Sequence, residues 1–268
     1  MCITIQKGSR KYNKTFLINK MVKTKLSKIM KRGKVFLLAY DQGMEHGTSD
    51  FSDKNVNPLD VIKIANKLKV TGFAVQKGIA EEYRKEIKVP LVIKLNGKTN
   101  LVKGEPISRQ LCSVKEAIKL KADAVGYTIY LGSQYENEMM AEFSKIEEEA
   151  HSKGLPVILW AYPRGKSIKG RTKDELMAYS ARAALELGAD IVKIQYSGNK
   201  SALSWSVKAA GRTKVIVAGG SKITDKEVIK KTKEIMSAGC SGLAIGRNVW
   251  QHKNPEKIGK SVRDIIFS

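Results

Sequence analysis

The chain has 268 residues, 42% of them hydrophobic and 28% charged, a composition that suits a globular fold and excludes a largely disordered one. No run approaches 18 uninterrupted apolar residues, which excludes a spanning helix, and three widely separated cysteines (Cys2, Cys112, Cys240) exclude a disulfide framework or a cysteine zinc site. The start lacks an apolar signal-peptide core, so the expectation is a soluble, cytoplasmic protein.

The balance of 49 Lys and Arg against 26 Asp and Glu gives a net charge of +23. The first acidic residue is Asp41, and eleven basic residues precede it, so nearly half of the excess lies in the first 40 positions. Residues 1–23 are expected to be a solvated basic leader, with Met21 an alternative start, and residues 24–268 the folded domain. Such an arm can attract phosphates, but it carries only Tyr12 and Phe16 as aromatics and no binding motif. A nucleic-acid-binding protein is therefore the rival class, resting on charge alone, and neither nucleic acid nor a membrane is the expected partner.

In chain order the sequence predicts strands over 35–40, 72–75, 91–95, 124–129, 157–162, 190–195, 215–218 and 242–245. Each is short and nearly continuously apolar, as in parallel strands covered on both faces. Helices are predicted between and after them over 58–69, 113–121, 137–152, 172–187, 201–210, 225–238 and 255–266. The segment 137–152 places Met140, Phe143, Ile146 and Ala150 on one stripe. Thr172 with Glu175, and Asp225, read as N-caps, and Gly188 and Gly239 as stops. Eight strands alternating with helices predict an α/β fold of the (β/α)8 TIM-barrel type. The rival is an open doubly wound sheet, but Asp41-Gln42-Gly43-Met44-Glu45-His46-Gly47 after the first strand does not fit its glycine fingerprint.

Barrel active sites lie at the carboxyl ends of the strands. Gly219-Gly220-Ser221-Lys222 after strand seven and Gly246-Arg247-Asn248 after strand eight predict a phosphate site, because glycines admit close backbone approach while Ser221, Lys222 and Arg247 add donors and charge. Lys193 interrupts an apolar strand, where an unpaired ammonium is costly and its pKa is driven down. A neutral amine attacks a carbonyl, so Lys193 is a candidate Schiff-base nucleophile, with Lys94 in a similar strand as its competitor. Trp160 and Tyr162 share one strand face, where one can wall a pocket and the other move protons; core packing is the alternative for both. Asp41 is a candidate for orienting a hydroxyl or a lysine. His46 is a candidate phosphate contact. The three histidines are scattered without ligand spacing, so neither a metal nor another cofactor is expected.

Together the segments 39–47, 160–165 (Trp-Ala-Tyr-Pro-Arg-Gly), 188–193 (Gly-Ala-Asp-Ile-Val-Lys) and 218–222 resemble the archaeal-type class I fructose-bisphosphate aldolases, within the wider group of Schiff-base barrel aldolases. The resemblance spans roughly residues 24–266. It implies Lys193 as the Schiff-base lysine, Tyr162 as the proton-transfer residue, and Asp41 and Trp160 around the reacting carbons. It also implies Arg164 at the far phosphate, a phosphorylated sugar as substrate, and a homo-oligomer, with decamers among the assemblies. After Lys193 the chain departs from the pattern: residues 197–201 read Ser-Gly-Asn-Lys-Ser, with no acid, which leaves Glu45 as the candidate substitute. The close alternative is a 2-amino-3,7-dideoxy-D-threo-hept-6-ulosonate synthase or another lysine aldolase or transaldolase of the same group.

Overall fold

The computed structural model describes residues 26–268, so the predicted leader over 1–23 lies outside the described residues. Eight parallel strands close into one barrel: β1 Val35–Ala39, β2 Gly72–Gln76, β3 Leu91–Lys94, β4 Ala124–Leu131, β5 Val157–Pro163, β6 Ile191–Ile194, β7 Lys214–Ala218 and β8 Gly242–Ile245. The seam is closed by β1 against β8, with Val35 opposite Gly242 and Leu38 opposite Ile245. Eight helices follow the strands in turn: α1 Pro58–Leu68, α2 Lys77–Tyr83, α3 Val114–Lys119, α4 Glu136–Ser152, α5 Lys173–Glu186, α6 Lys200–Ala209, α7 Asp225–Ser237 and α8 Pro255–Phe267. This is the predicted (β/α)8 architecture.

The period-two alternation of each strand divides its side chains between two cores. On β5, Val157, Leu159 and Ala161 pack outward against the helices, whereas Ile158, Trp160 and Tyr162 face the barrel interior. On β6, Val192 and Ile194 face out and Ile191 faces in, so Lys193 shares the inner face. Leu26, Ile29 and Met30 join the inner cluster and plug the end of the barrel opposite the strand carboxyl ends. The interior below the mouth is thus filled with apolar side chains, and the polar residues collect at one rim.

Several boundaries differ from expectation, each for a local reason. Strand β4 runs two residues further than predicted because Tyr130 and Leu131 pair with Tyr162 and Pro163 of β5. The cap of α7 is Thr224, whose hydroxyl accepts from the Glu227 amide while the Glu227 side chain returns to the Thr224 amide, so Asp225 is the first helical residue instead. The buried stripe of α4 begins at Met139, with Met140 only partly buried. Gly188 and Gly239 do end their helices in left-handed conformations, at φ of 80° and 94°. Short elements escaped the sequence altogether. These are helix α2 at Lys77–Tyr83, the one-turn helices Gly43–His46 and Arg247–Trp250, the 3-10 turns Gly47–Asp50 and Lys166–Ile168, and the two-residue ladder of Asn96–Gly97 with Arg109–Gln110.

His151, in the last turn of α4, ties the helix layer to the barrel floor. Its Nε2 lies 2.8 Å from Asp190 Oδ2 and its Nδ1 lies 2.7 Å from Glu147 Oε1, while Asp190 also accepts from the Val157 amide. Burial lowers the imidazole pKa, but the two carboxylates outweigh it and raise it to about 9. A raised folded-state value stabilises the protein fully below the unfolded value near 6.5, and that stabilisation is lost as pH rises through about 9. The undiscounted shift is worth about 3 kcal/mol, and solvent screening of this partly exposed group reduces that to on the order of 1–2 kcal/mol. His151→Gln should therefore lower Tm relative to wild type at pH 6, with the gap closing by pH 10. A gap that stays constant over thermal unfolding scans between those limits would rule out this account.

Candidate active site

The rim at the strand carboxyl ends holds a cavity of about 150 Å³. Into it converge Asp41, His46, Trp160, Tyr162, Arg164, Lys193, Gly219, Gly220, Gly246 and Arg247 from the predicted set, joined by Lys94 and Glu45. Ser221 is the exception. It is exposed beside the cavity, and its carbonyl accepts from the Asn248 side chain at 2.9 Å.

Two lysines face the same interior, and their surroundings separate them. Lys94 is 6% exposed and its Nζ lies 3.9 Å from Asp41 Oδ2, an ion pair in which both side chains are buried. Lys193 is 5% exposed, and among the described residues no carboxylate oxygen lies within 4.0 Å of its ammonium. It sits instead 5.0 Å from the centre of the Trp160 ring and 5.9 Å from that of Tyr162. The Trp160 indole has room on the inner face because the neighbouring β4 position is Gly126, where a Cβ would fall 2.0 Å from the ring. Burial pushes both lysine pKa values down, against the opposing charges of Asp41 and Glu45. For Lys94, the nearby Lys193 and Arg164 add to the lowering.

The acid side of the site is organised by Glu45, on the one-turn helix that follows β1. Its Oε1 accepts from Arg164 Nη1 at 2.5 Å and stands 3.5 Å from the Tyr130 hydroxyl. Burial raises the Glu45 pKa, but the charge and hydrogen bond of Arg164, with Lys94 and Lys98, bring it below the usual carboxylate value. The Arg164 guanidinium lies over the rings of Tyr130 and Tyr162, at 5.2 and 5.6 Å. Burial, then the Asp41 charge, pushes the Tyr162 phenol well above its ordinary range, with Glu45 adding to the rise and Arg164 opposing it. The Tyr162 phenol is therefore protonated at neutral pH.

The glycine ends of β7 and β8 form the opposite wall. Gly220 has φ of 75°, a conformation that favours glycine, and a Cβ on Gly246 would meet the Ala39 carbonyl oxygen at 2.7 Å. The turn is fastened by Asn248, which sequence reasoning passed over as the residue following Arg247. Its side chain accepts from the Ile223 amide at 2.9 Å and donates to the carbonyls of Gly219 and Ser221. His46 and Arg247 are joined through Asp50: Nδ1 of His46 lies 2.5 Å from Asp50 Oδ2, and Arg247 Nη1 lies 3.5 Å from Oδ1. Lys222 donates to the Gln251 carbonyl at 3.2 Å. Backbone donors, a partly engaged arginine and two buried lysines suit a phosphorylated carbonyl compound.

The chain is similar to known proteins in both sequence and structure. The profile of the DeoC/LacD family aldolases matches residues 35–252. The fructose-bisphosphate aldolase class 1 of Thermoproteus tenax is 44% identical over 240 residues, covering 88% of this chain and 91% of the relative. The 2-amino-3,7-dideoxy-D-threo-hept-6-ulosonate synthase 1 of Archaeoglobus fulgidus is 32% identical over 244 residues, 90% of this chain and 89% of the relative. A solved archaeal fructose-1,6-bisphosphate aldolase, with its catalytic lysine covalently bound to the carbinolamine intermediate of the substrate, superposes with a TM-score of 0.87 at 42% identity. That match covers 92% of this chain and 100% of the other.

Proposed function

The chain belongs to the DeoC/LacD family of aldolases, and we propose from that membership and the site above that it is a lysine-dependent enzyme catalysing the reversible cleavage of fructose 1,6-bisphosphate to dihydroxyacetone phosphate and glyceraldehyde 3-phosphate. The observation that carries the reading is the unpaired, buried Lys193 amine between the Trp160 and Tyr162 rings, in one cavity with the glycine turn of β7.

Burial favours the neutral form of Lys193, which attacks the C2 ketone to give a carbinolamine. Loss of water yields a protonated Schiff base, an electron sink at C2. The C4 hydroxyl proton passes to a pocket carboxylate, for which Asp41 is the choice, and the C3–C4 bond breaks to release glyceraldehyde 3-phosphate. The electron pair remains as an enamine, which Tyr162 protonates at C3. The proton on Asp41 returns to the Tyr162 phenolate, and hydrolysis then frees dihydroxyacetone phosphate and regenerates Lys193. The Schiff base is assigned to Lys193 because Lys94 is held against Asp41 at 3.9 Å, whereas among the described residues no carboxylate lies that close to Lys193. Gly219, Gly220, Gly246 and Arg247 hold one phosphate, with Ser221 at the edge of that subsite and His46 linked to it through Asp50. Arg164, steadied by Glu45, faces the other.

The soluble sugar-phosphate substrate and the absence, among the described residues, of a helix long and apolar enough to cross a membrane support a cytoplasmic enzyme. The resemblance to the archaeal-type aldolases supports a homo-oligomer. The test is a coupled assay of fructose 1,6-bisphosphate cleavage with and without EDTA. EDTA-insensitive release of both triose phosphates is the expected result. Consumption of aspartate semialdehyde, with no cleavage of the bisphosphate, would assign the chain to the synthase branch of the family instead.

A further inference from the structure

Among the described residues, a half-buried lysine with no carboxylate partner stands behind the phosphate turn. Lys231 rises from the middle of α7 toward the carboxyl end of β7, in a narrow cleft with Gly219, Ile223, Val228, Leu243 and Asn248. Its Nζ lies 3.7 Å from the position that a Cβ on Gly220 would take. Among the described residues it makes no hydrogen bond and no ion pair. It faces the ring of Tyr196, whose centre is 5.9 Å away.

The carboxylate that might have served it is engaged elsewhere, since Glu234 accepts from the Tyr196 hydroxyl at 3.3 Å and pairs with Lys230 at 3.9 Å. Burial lowers the Lys231 pKa, with only the more distant Glu234 charge opposing it. A cation withdrawn from water is costly unless an anion balances it. The other cations around the turn are already partnered: Arg247 by Asp50 and the Gly220 carbonyl, Lys222 by the Gln251 carbonyl.

We propose that Lys231 is a phosphate-binding residue of this site, its ammonium supplying from the helix α7 side the positive charge that the Gly219–Gly220 turn presents to a substrate phosphate. This rests on the phosphorylated-substrate reading above and deepens it. Tight turns of this kind bind phosphate with neutral backbone N–H groups alone. Here Lys231 adds a formal charge from outside the cavity to that of Arg247 within it, which favours the phosphate dianion over a neutral hydroxyl group at the same place.

The test uses Lys231→Met, which keeps the length and apolar stem, and Lys231→Arg, which keeps the charge. Inorganic phosphate binding is measured by calorimetry, and kcat and KM are measured for fructose 1,6-bisphosphate. Schiff-base trapping with borohydride is compared for dihydroxyacetone phosphate and unphosphorylated dihydroxyacetone. The expected result for Lys231→Met is a phosphate Kd and a KM raised about tenfold or more, with a much smaller change in kcat. Trapping of dihydroxyacetone should be unchanged, while trapping of its phosphate weakens. Lys231→Arg should recover most of the affinity. Unchanged phosphate Kd and KM in Lys231→Met, or equal losses with both ketones, would overturn the proposal. If the methionine variant does not fold, Lys231→Gln takes its place, and a wild-type phosphate Kd and KM in that variant would equally overturn the proposal. Because calorimetry with inorganic phosphate needs no turnover, failure of this inference is distinguishable from failure of the aldolase reading, which the wild-type cleavage assay decides.

Discussion

Lys193→Met should lose fructose 1,6-bisphosphate cleavage by on the order of 10⁴-fold or more, since removing a covalent nucleophile removes the reaction path itself. Borohydride reduction in the presence of dihydroxyacetone phosphate should give a stable adduct in the wild type, mapped to Lys193, and none in the variant. Methionine suits the site, because the side chain is 5% exposed and flanked by Trp160, so the loss is expected without a fall in Tm. Lys94→Met is the informative control. It leaves Asp41 buried without its 3.9 Å partner. Cleavage should be impaired there, yet the adduct should still form on Lys193. An adduct on Lys94 in the wild type would exchange the roles of the two lysines.

The near equivalence of those lysines in the sequence has a physical origin. Each interrupts an apolar parallel strand at an inward position near its carboxyl end, so strand periodicity treats them alike. What distinguishes them is the Asp41 carboxylate, which β1 delivers beside β3 only when the barrel closes. Within the sequence, the resemblance of the 188–193 segment, rather than spacing, singled out Lys193.

The barrel itself was legible because its signal is local and repeated. Eight apolar runs, helix-cap residues and glycine stops each report on a few neighbouring positions. The one-turn helix Gly43–His46 is shorter than any hydrophobic period, yet it carries Glu45 to Arg164 across 119 positions of chain. Lys231 is equally hidden: in the sequence it is one of several lysines on a helix, among Lys230 and Lys233, and only the packing of α7 against the end of β7 places it, half-buried, behind the glycine turn. The phase error on α4, Met139 for Met140, is of the same kind, because a helix's rotation about its axis is fixed by what it packs against.

Tyr162→Phe separates bond cleavage from proton return. The hydroxyl is buried, and burial with the Asp41 and Glu45 charges holds its pKa well above the usual tyrosine range despite Arg164. The phenol therefore keeps its proton through neutral pH and can donate it to the enamine carbon. Phenylalanine keeps the ring that packs near Lys193 and Arg164, so the Schiff base should still form and borohydride trapping should persist. Turnover in the cleavage direction should drop by about 10² to 10⁴, the usual share of a positioned acid. The first turnover should release glyceraldehyde 3-phosphate in a burst stoichiometric with enzyme, after which the enamine accumulates and dihydroxyacetone phosphate appears slowly. Because the phenol does not titrate near neutrality, the pH–rate profile should keep its shape between roughly pH 6 and 9 and lose only height. Loss of trapping together with turnover would instead place Tyr162 in the formation of the Schiff base, and enamine protonation would then need another donor.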